Sequence, residues 1–190
     1  MKKLLTTLST MILLSIVACA QQNQQEMKSS QTDKKVLVVY FSATGTTKTI
    51  AQKVAKAAKG RLYEIVPAQA YTSADLNWHN QQSRSSLEMN TPDSRPAIAG
   101  EAVNINDYDV IFLGYPIWWD FAPRPVNTFI ESHHFDGKRM IPFATSGGSS
   151  INNSVATLKK TYPQIDWAEG KLLNSTSAAN ITQWVEKVLE

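Results

Sequence analysis

The amino-acid sequence predicts an α/β fold, a parallel sheet lying between two layers of helices in a doubly wound, three-layer sandwich. Three observations carry this. Val36 to Phe41 and Val110 to Gly114 are unbroken apolar, β-branched and aromatic runs, as strands buried on both faces require. From Val36 onward, strand-like and helix-like segments alternate, which favours parallel strands joined by crossover helices. The chain has 190 residues, 43% of them hydrophobic and 18% charged, which suits one globular domain with some length to spare at an end.

The spare length lies at the start. Residues 1–18 open with Lys2-Lys3 and run mostly apolar from Leu4 to Val17, too short and too broken by Ser and Thr for a comfortable bilayer span and built like a secretory signal peptide. Cys19 ends this segment and is the only cysteine of the chain. Ile16-Val17-Ala18-Cys19 resembles the lipobox of bacterial lipoproteins, whose cysteine becomes the lipid-bearing first residue of the mature protein. The resemblance implies an exported chain anchored through lipid on Cys19 to a bacterial membrane, on its periplasmic or surface face. Residues 19–34 are rich in Gln, Ser and Lys with almost nothing apolar and read as a flexible tether. The domain is therefore expected over 35–190.

Taken in order, the first strand is Val36 to Phe41. A turn, Ser42-Ala43-Thr44-Gly45-Thr46-Thr47, separates it from a helix on which Ile50, Val54 and Ala58 recur at helical spacing. Lys59-Gly60 is expected to end that helix with a cation and a left-handed cap. Arg61 to Val66 is a second strand. Pro67 to Asn106 is a long polar flap with one plausible helix, around Ala74 to Met89, of a length more often functional than filler. Val110 to Gly114 is the third strand, and Arg124 to Glu131 a helix whose first turn tolerates Pro123 and Pro125. Lys138 to Ala144 is the fourth strand, with Pro142 placing its start at the margin of good pairing. Asn153 to Tyr162 is a helix, Ile165 to Leu173 a weak, broken fifth strand, and Ala178 to Leu189 a closing amphipathic helix.

Ligands of open parallel sheets sit beyond the carboxyl ends of the strands, and three unusual loops leave those ends here. The first packs four hydroxyls and one glycine in front of a helix. Unpaired N–H groups and a partial positive charge at a helix N-terminus suit a phosphate, although Ser and Thr also serve as plain helix caps. Gly45 would let the backbone approach the anion. The loop is neither a P-loop, which needs glycine before Lys48, nor a three-glycine dinucleotide turn. The second, Tyr115-Pro116-Ile117-Trp118-Trp119-Asp120-Phe121, offers aromatic rings to a planar ligand or to the underside of the flap. The third, Thr145-Ser146-Gly147-Gly148-Ser149-Ser150, leaves backbone amides bare for the edge of a ring, or serves as a hinge.

These residues, Phe41-Ser42-Ala43-Thr44-Gly45-Thr46-Thr47-Lys48, Gly114-Tyr115-Pro116-Ile117-Trp118-Trp119 and Phe143-Ala144-Thr145-Ser146-Gly147-Gly148, resemble the three cofactor loops of the flavodoxin-like proteins, in particular the bacterial branch with a Tyr-Pro-Ile-Trp-Trp second loop. The resemblance runs from Val36 to the C-terminus. It implies a five-stranded sheet of order 2-1-3-4-5 and bound FMN. Ser42, Ala43, Thr44, Gly45, Thr46 and Thr47 would hold the phosphate. Pro116, Ile117, Trp118 and Trp119 would border the isoalloxazine, and Thr145, Ser146, Gly147 and Gly148 would meet its pyrimidine edge. Trp78, in the flap, is a further candidate. Two features depart from the family. Asp120 stands where relatives often carry a glycine whose peptide can turn toward the reduced ring, and a carboxylate there would raise the cost of negative charge on the flavin. Soluble flavodoxins are also usually strongly acidic. The formal charge here is +3, and without Lys2 and Lys3 it falls to 17 basic against 16 acidic residues.

The resulting expectation is a membrane-anchored FMN protein that moves electrons to or from a redox partner protein or small acceptor. One alternative is an NAD(P)H-dependent FMN reductase acting on quinones or similar acceptors, with the flap forming a second pocket. Another is a flavodoxin-shaped binding module without cofactor. The near-neutral charge gives no reason to invoke nucleic acid. A single cysteine excludes an intrachain disulfide, a C-x-x-C pair and a cysteine-held iron–sulfur cluster. His79, His133 and His134 lack metal-ligand spacing, and Ser42 does not sit in a hydrolase elbow. No catalytic acid, base or nucleophile is predicted.

Overall fold

A computed structural model describes residues 34–190. The signal segment, Cys19 and nearly all of the tether lie outside the described residues. The main sheet takes β1 (Val36–Tyr40), β2 (Arg61–Glu64), β5 (Val110–Pro116), β6 (Arg139–Thr145), β7 (Asp166–Trp167) and β8 (Lys171–Leu172) in the order β2-β1-β5-β6-β7, with β8 also on β6. All of these pairs are parallel. Counting the split last strand once, this is the expected order 2-1-3-4-5.

Period-two alternation divides the core into two layers. Leu37, Val39, Phe41, Ile111, Leu113 and Tyr115 face α3 (Arg124–Glu131) and α4 (Asn152–Thr161), meeting Val126, Phe129, Val155 and Leu158. Val36, Val38, Tyr40, Phe112, Ile141 and Phe143 face α1 (Thr46–Ala58) and α5 (Ala178–Leu189), meeting Ile50, Val54, Ile181 and Trp184. Gly114 completes the second layer by its lack of a side chain. A Cβ there would stand 2.2 Å from Phe143 Cζ, so the Phe143 ring occupies the space over β5.

Several boundaries differ from the sequence reading, each for a local reason. Thr46 and Thr47 belong to α1 rather than to the turn before it. At the other end of α1 the left-handed residue is Lys59 (φ 49). Gly60 is required instead by contact, since a Cβ would lie 3.0 Å from both Val36 Cγ1 and Val36 O. In the flap the helix is short, α2 (Arg84–Asn90). The expected stretch before it, from Ala74, is a chain of turns. Asn77 Oδ1 accepts from His79 N–H and Asn80 Oδ1 from Gln82 N–H, local bonds that compete with helix formation. Residues Val66–Pro67 (β3) leave the second strand and pair antiparallel with Ile98–Ala99 (β4), pinning both ends of the flap.

Pro142 does not weaken the start of β6. It lies inside the strand, opposite Leu113, and breaks the strand beyond. Met140 O and Ala144 O accept from Ala168 N–H and Leu173 N–H, both at 2.8 Å, so the N–H that Pro142 lacks belongs to that outer side. There β7 pairs with Arg139 and Met140, β8 pairs with Phe143 and Ala144, and the chain bulges between them. At the bulge, a Cβ on Gly170 would stand 2.8 Å from Val155 Cγ2 and 3.2 Å from Pro142 Cγ.

Candidate functional site

Three loops converge at the carboxyl rim of the sheet around a cleft of about 590 Å³, lined by loop residues and by Leu76, Trp78 and Ser85 of the flap. None of the described residues that line it is titratable.

The first loop is shaped around Gly45, whose φ of 89° is left-handed. Its N–H donates to Ser42 Oγ (3.1 Å) and its carbonyl accepts from Thr49 N–H (3.0 Å), the first bond of α1. No side chain caps the helix. Among the described residues, the N–H groups of Thr46, Thr47 and Lys48 therefore have no partner, and the surrounding hydroxyls are not used as a cap. With a Cβ at Gly45 nothing within 4 Å would be met. Within the protein itself the glycine is required by backbone conformation, and the space beside it is open. Lys48 does not add a free cation to this end of the helix, because its Nζ pairs with Glu64 Oε2 at 3.0 Å.

Thr47 has a second task. Its buried Oγ1 meets Thr145 Oγ1 at 2.8 Å, tying the first loop to the third beneath the cleft. Thr47 lines the cleft, whereas Thr145 stands behind it. Gly45 and Thr46 also lie outside the lining, while Ser42, Ala43 and Thr44 are part of it.

The second loop is a tight hairpin. Trp118 N–H donates to Phe121 O (3.0 Å) and Phe121 N–H to Trp118 O (2.9 Å), with Trp119 and Asp120 at φ 47° and 65°. Two central residues with positive φ mark a type I′ turn, strained for a tryptophan. Trp118 is held edge-on by Phe41 (5.6 Å between centroids) and Tyr71 (5.3 Å), so it rests on the core and the flap and still lines the cleft. Trp119 is 39% exposed at the mouth. Asp120 is outside the lining and exposed, where solvent screens its charge. The Asp120–Phe121 peptide is bonded on both sides, with Asn153 Nδ2 donating to Asp120 O at 3.3 Å.

In the third loop, Ser146 N–H donates to Asn174 Oδ1 (2.8 Å). The N–H groups of Gly148 and Ser149 donate to Ser146 Oγ (3.1 and 2.8 Å). Of the bare amides expected there, the N–H groups of Gly147 and Ser150 have no partner among the described residues, and of these two Gly147 lines the cleft. A Cβ on either Gly147 or Gly148 would meet nothing within 4 Å, and neither backbone is left-handed. Their own fold therefore does not demand glycine.

The flap is fastened from behind. Glu88 accepts from Tyr71 Oη and pairs with Arg84 Nε (2.7 Å), whose guanidinium lies 4.0 Å from the Tyr71 ring centroid. Burial, then the Glu88 carboxylate, holds the Tyr71 phenol above its ordinary value. Arg124 donates to Glu88 O and Met89 O (3.1 and 2.9 Å) at the end of α2. Trp78, the further candidate in the flap, lines the cleft and is 61% exposed. Leu76, Ser85 and Ser149 line it without having been anticipated. Ser149 is one residue beyond the expected set. Leu76 and Ser85 carried no signal, because only folding of the flap brings them to the rim.

An uncapped helix end, aromatic walls and an open amide at Gly147, set at the rim of a doubly wound parallel sheet, define a flavodoxin-like α/β protein. The chain belongs to the flavodoxin family, whose family model matches residues 35–188. It is similar to a crystal structure from Bacteroides eggerthii that carries a flavoprotein name, with 58% identity over 83% of this chain and 99% of that one and a TM-score of 0.79. A Bacteroides uniformis counterpart with the same kind of name shares 53% identity, covers 80% of this chain and 98% of its own, and also has a TM-score of 0.79. A Lactobacillus acidophilus flavoprotein in complex with FMN has the same fold, at 22% identity, 79% and 99% coverage and a TM-score of 0.62. No curated protein matches the sequence.

Proposed function

We propose that this chain holds FMN across the rim cleft and passes electrons through it, tethered to a bacterial membrane by lipid on Cys19. The observation that carries the cofactor reading is the N-terminus of α1, where among the described residues three N–H groups lack partners and no hydroxyl is spent as a cap. FMN brings the redox chemistry when bound, and the protein supplies binding, orientation and electrostatics. The N–H groups of Thr46, Thr47 and Lys48, with the Ser42 and Thr44 hydroxyls, hold the phosphate. Each hydrogen bond to a charged group contributes about 1.5–3 kcal/mol, so neutral donors suffice where no cation lines the cleft. Trp118 and Trp119, with Pro116 and Ile117, border the ring, and Gly147 N–H is open to an acceptor on its edge. The unpartnered buried Ser85 hydroxyl at the cleft also fits a ligand rich in acceptor oxygens.

An electron carrier is favoured over an NAD(P)H-dependent reductase by the rigidity of the cleft walls. The fixed Trp118 wall and the doubly bonded Asp120–Phe121 peptide hold the ring environment rigid, which suits transfer with little reorganisation. The acceptor or donor is a redox partner protein or a small molecule that reaches the exposed Trp119 side.

Both halves of the core found among the described residues lie within Lys35–Glu190, so residues 27–190 contain both. Purified, this segment should be yellow with flavin absorption bands, and should stay oxidised under air with NADH or NADPH. A colourless domain that takes up no added FMN refutes the cofactor reading, and steady nucleotide consumption refutes the carrier reading. The anchor is tested separately, since Cys19→Ser in the full chain should release the protein from the membrane fraction.

A further inference from the structure

The flap presents a buried hydroxyl to the cleft. Ser85 is 2% exposed and lines the cleft, and its Oγ has no hydrogen-bond partner among the described residues. Its neighbours are satisfied. Ser83 Oγ accepts from Ser86 N–H (3.4 Å) and lies 2.9 Å from Ser86 Oγ. Buried hydroxyls are normally paired, and one left alone lowers stability. The Ser85 backbone is meanwhile fixed, with its N–H donating to Asp75 O at 3.0 Å. Arg84 and Glu88, on either side of it on α2, are locked to Tyr71, which stands against Trp118 on the cleft wall. Only the hydroxyl remains free to choose a direction.

We infer that the Ser85 hydroxyl donates to an acceptor oxygen of the flavin nucleotide, so that the flap is a fourth cofactor loop. This rests on the FMN reading above. The phosphate has its own donors at α1 and the ring edge has Gly147, and each lies on a loop that leaves a strand of the main sheet. Ser85 gives the flap one polar contact of its own, and a bound cofactor then pairs a hydroxyl that has no partner among the described residues.

This predicts effects of opposite sign. In the full-length chain, purified in detergent and freed of flavin, Ser85→Ala removes an unsatisfied buried group and should melt no lower than wild type. The same variant should bind FMN about twofold to tenfold more weakly in a fluorescence-quenching titration, the loss expected for one neutral hydrogen bond. Ser85→Cys, which keeps the shape and a weak donor, should fall between. Wild-type affinity in Ser85→Ala overturns the inference, as does a lower melting temperature with affinity unchanged, the mark of a purely structural hydroxyl. If wild type itself takes up no FMN, the functional reading falls and this one with it. Wild-type uptake with an indifferent Ser85→Ala sinks this one alone.

Discussion

Gly45→Ala isolates the backbone contribution of the first loop. At φ 89° an L-residue pays about 1–2 kcal/mol for the left-handed conformation, and no contact adds to it because nothing lies within 4 Å of the new Cβ. In a domain of this size 1 kcal/mol moves the melting temperature by about 2–4 °C. Gly45→Ala should therefore lower it by about 2–8 °C in thermal denaturation followed by circular dichroism. Gly45→Asn should lose less, since asparagine visits this region more readily. The loop could escape the strain by rotating to right-handed φ, but it would then give up the Gly45 N–H bond to Ser42 and redirect the open N–H groups of α1. In that case melting is nearly preserved and FMN affinity drops instead. Wild-type melting together with wild-type affinity would refute the reasoning, because the strain must appear in one or the other.

Two further outcomes follow from the same geometry. Thr47→Val leaves the buried Thr145 hydroxyl without its 2.8 Å partner and should cost about 1–3 kcal/mol in chemical denaturation. The Thr47→Val, Thr145→Val double variant should cost clearly less than the two single losses summed, and simple additivity would show that the loops are not coupled there. Glu131 is held below its ordinary carboxyl value of 4.5, first by the hydrogen bond from Arg95, with Tyr162 adding to it. A depressed carboxyl stabilises the fold above its unfolded value and loses that contribution as pH falls through the folded one. Stability should thus decline below about pH 4.5, and Glu131→Gln should flatten that limb in melts taken across pH. An unchanged acid limb would remove Glu131 as a contributor.

The sequence by itself determined what depends on local pattern. Unbroken apolar runs identify strands buried on both faces, helical spacing identifies α1 and α5, and the order of elements limits the topology to a doubly wound sheet. The three rim loops were legible because strand ends, hydroxyls, tryptophans and glycines fall in consecutive residues. Tertiary structure decided what depends on distant partners. Thr47 became a buried tie because Thr145, far away in the chain, comes beneath it, and Gly60 and Gly114 are glycines because Val36 and Phe143 leave no room. Pro142 split the last strand because its missing N–H happens to face outward. The flap resisted reading most, since asparagine turns compete there with helix and its polar residues carry no periodicity. Leu76 and Ser85 reach the cleft, and the Tyr71, Arg84 and Glu88 fastening forms behind it, only when long-range contacts fold the flap onto the rim. Pattern in the chain reports which face a residue turns inward, whereas the partner it meets there is chosen by packing between segments far apart in sequence.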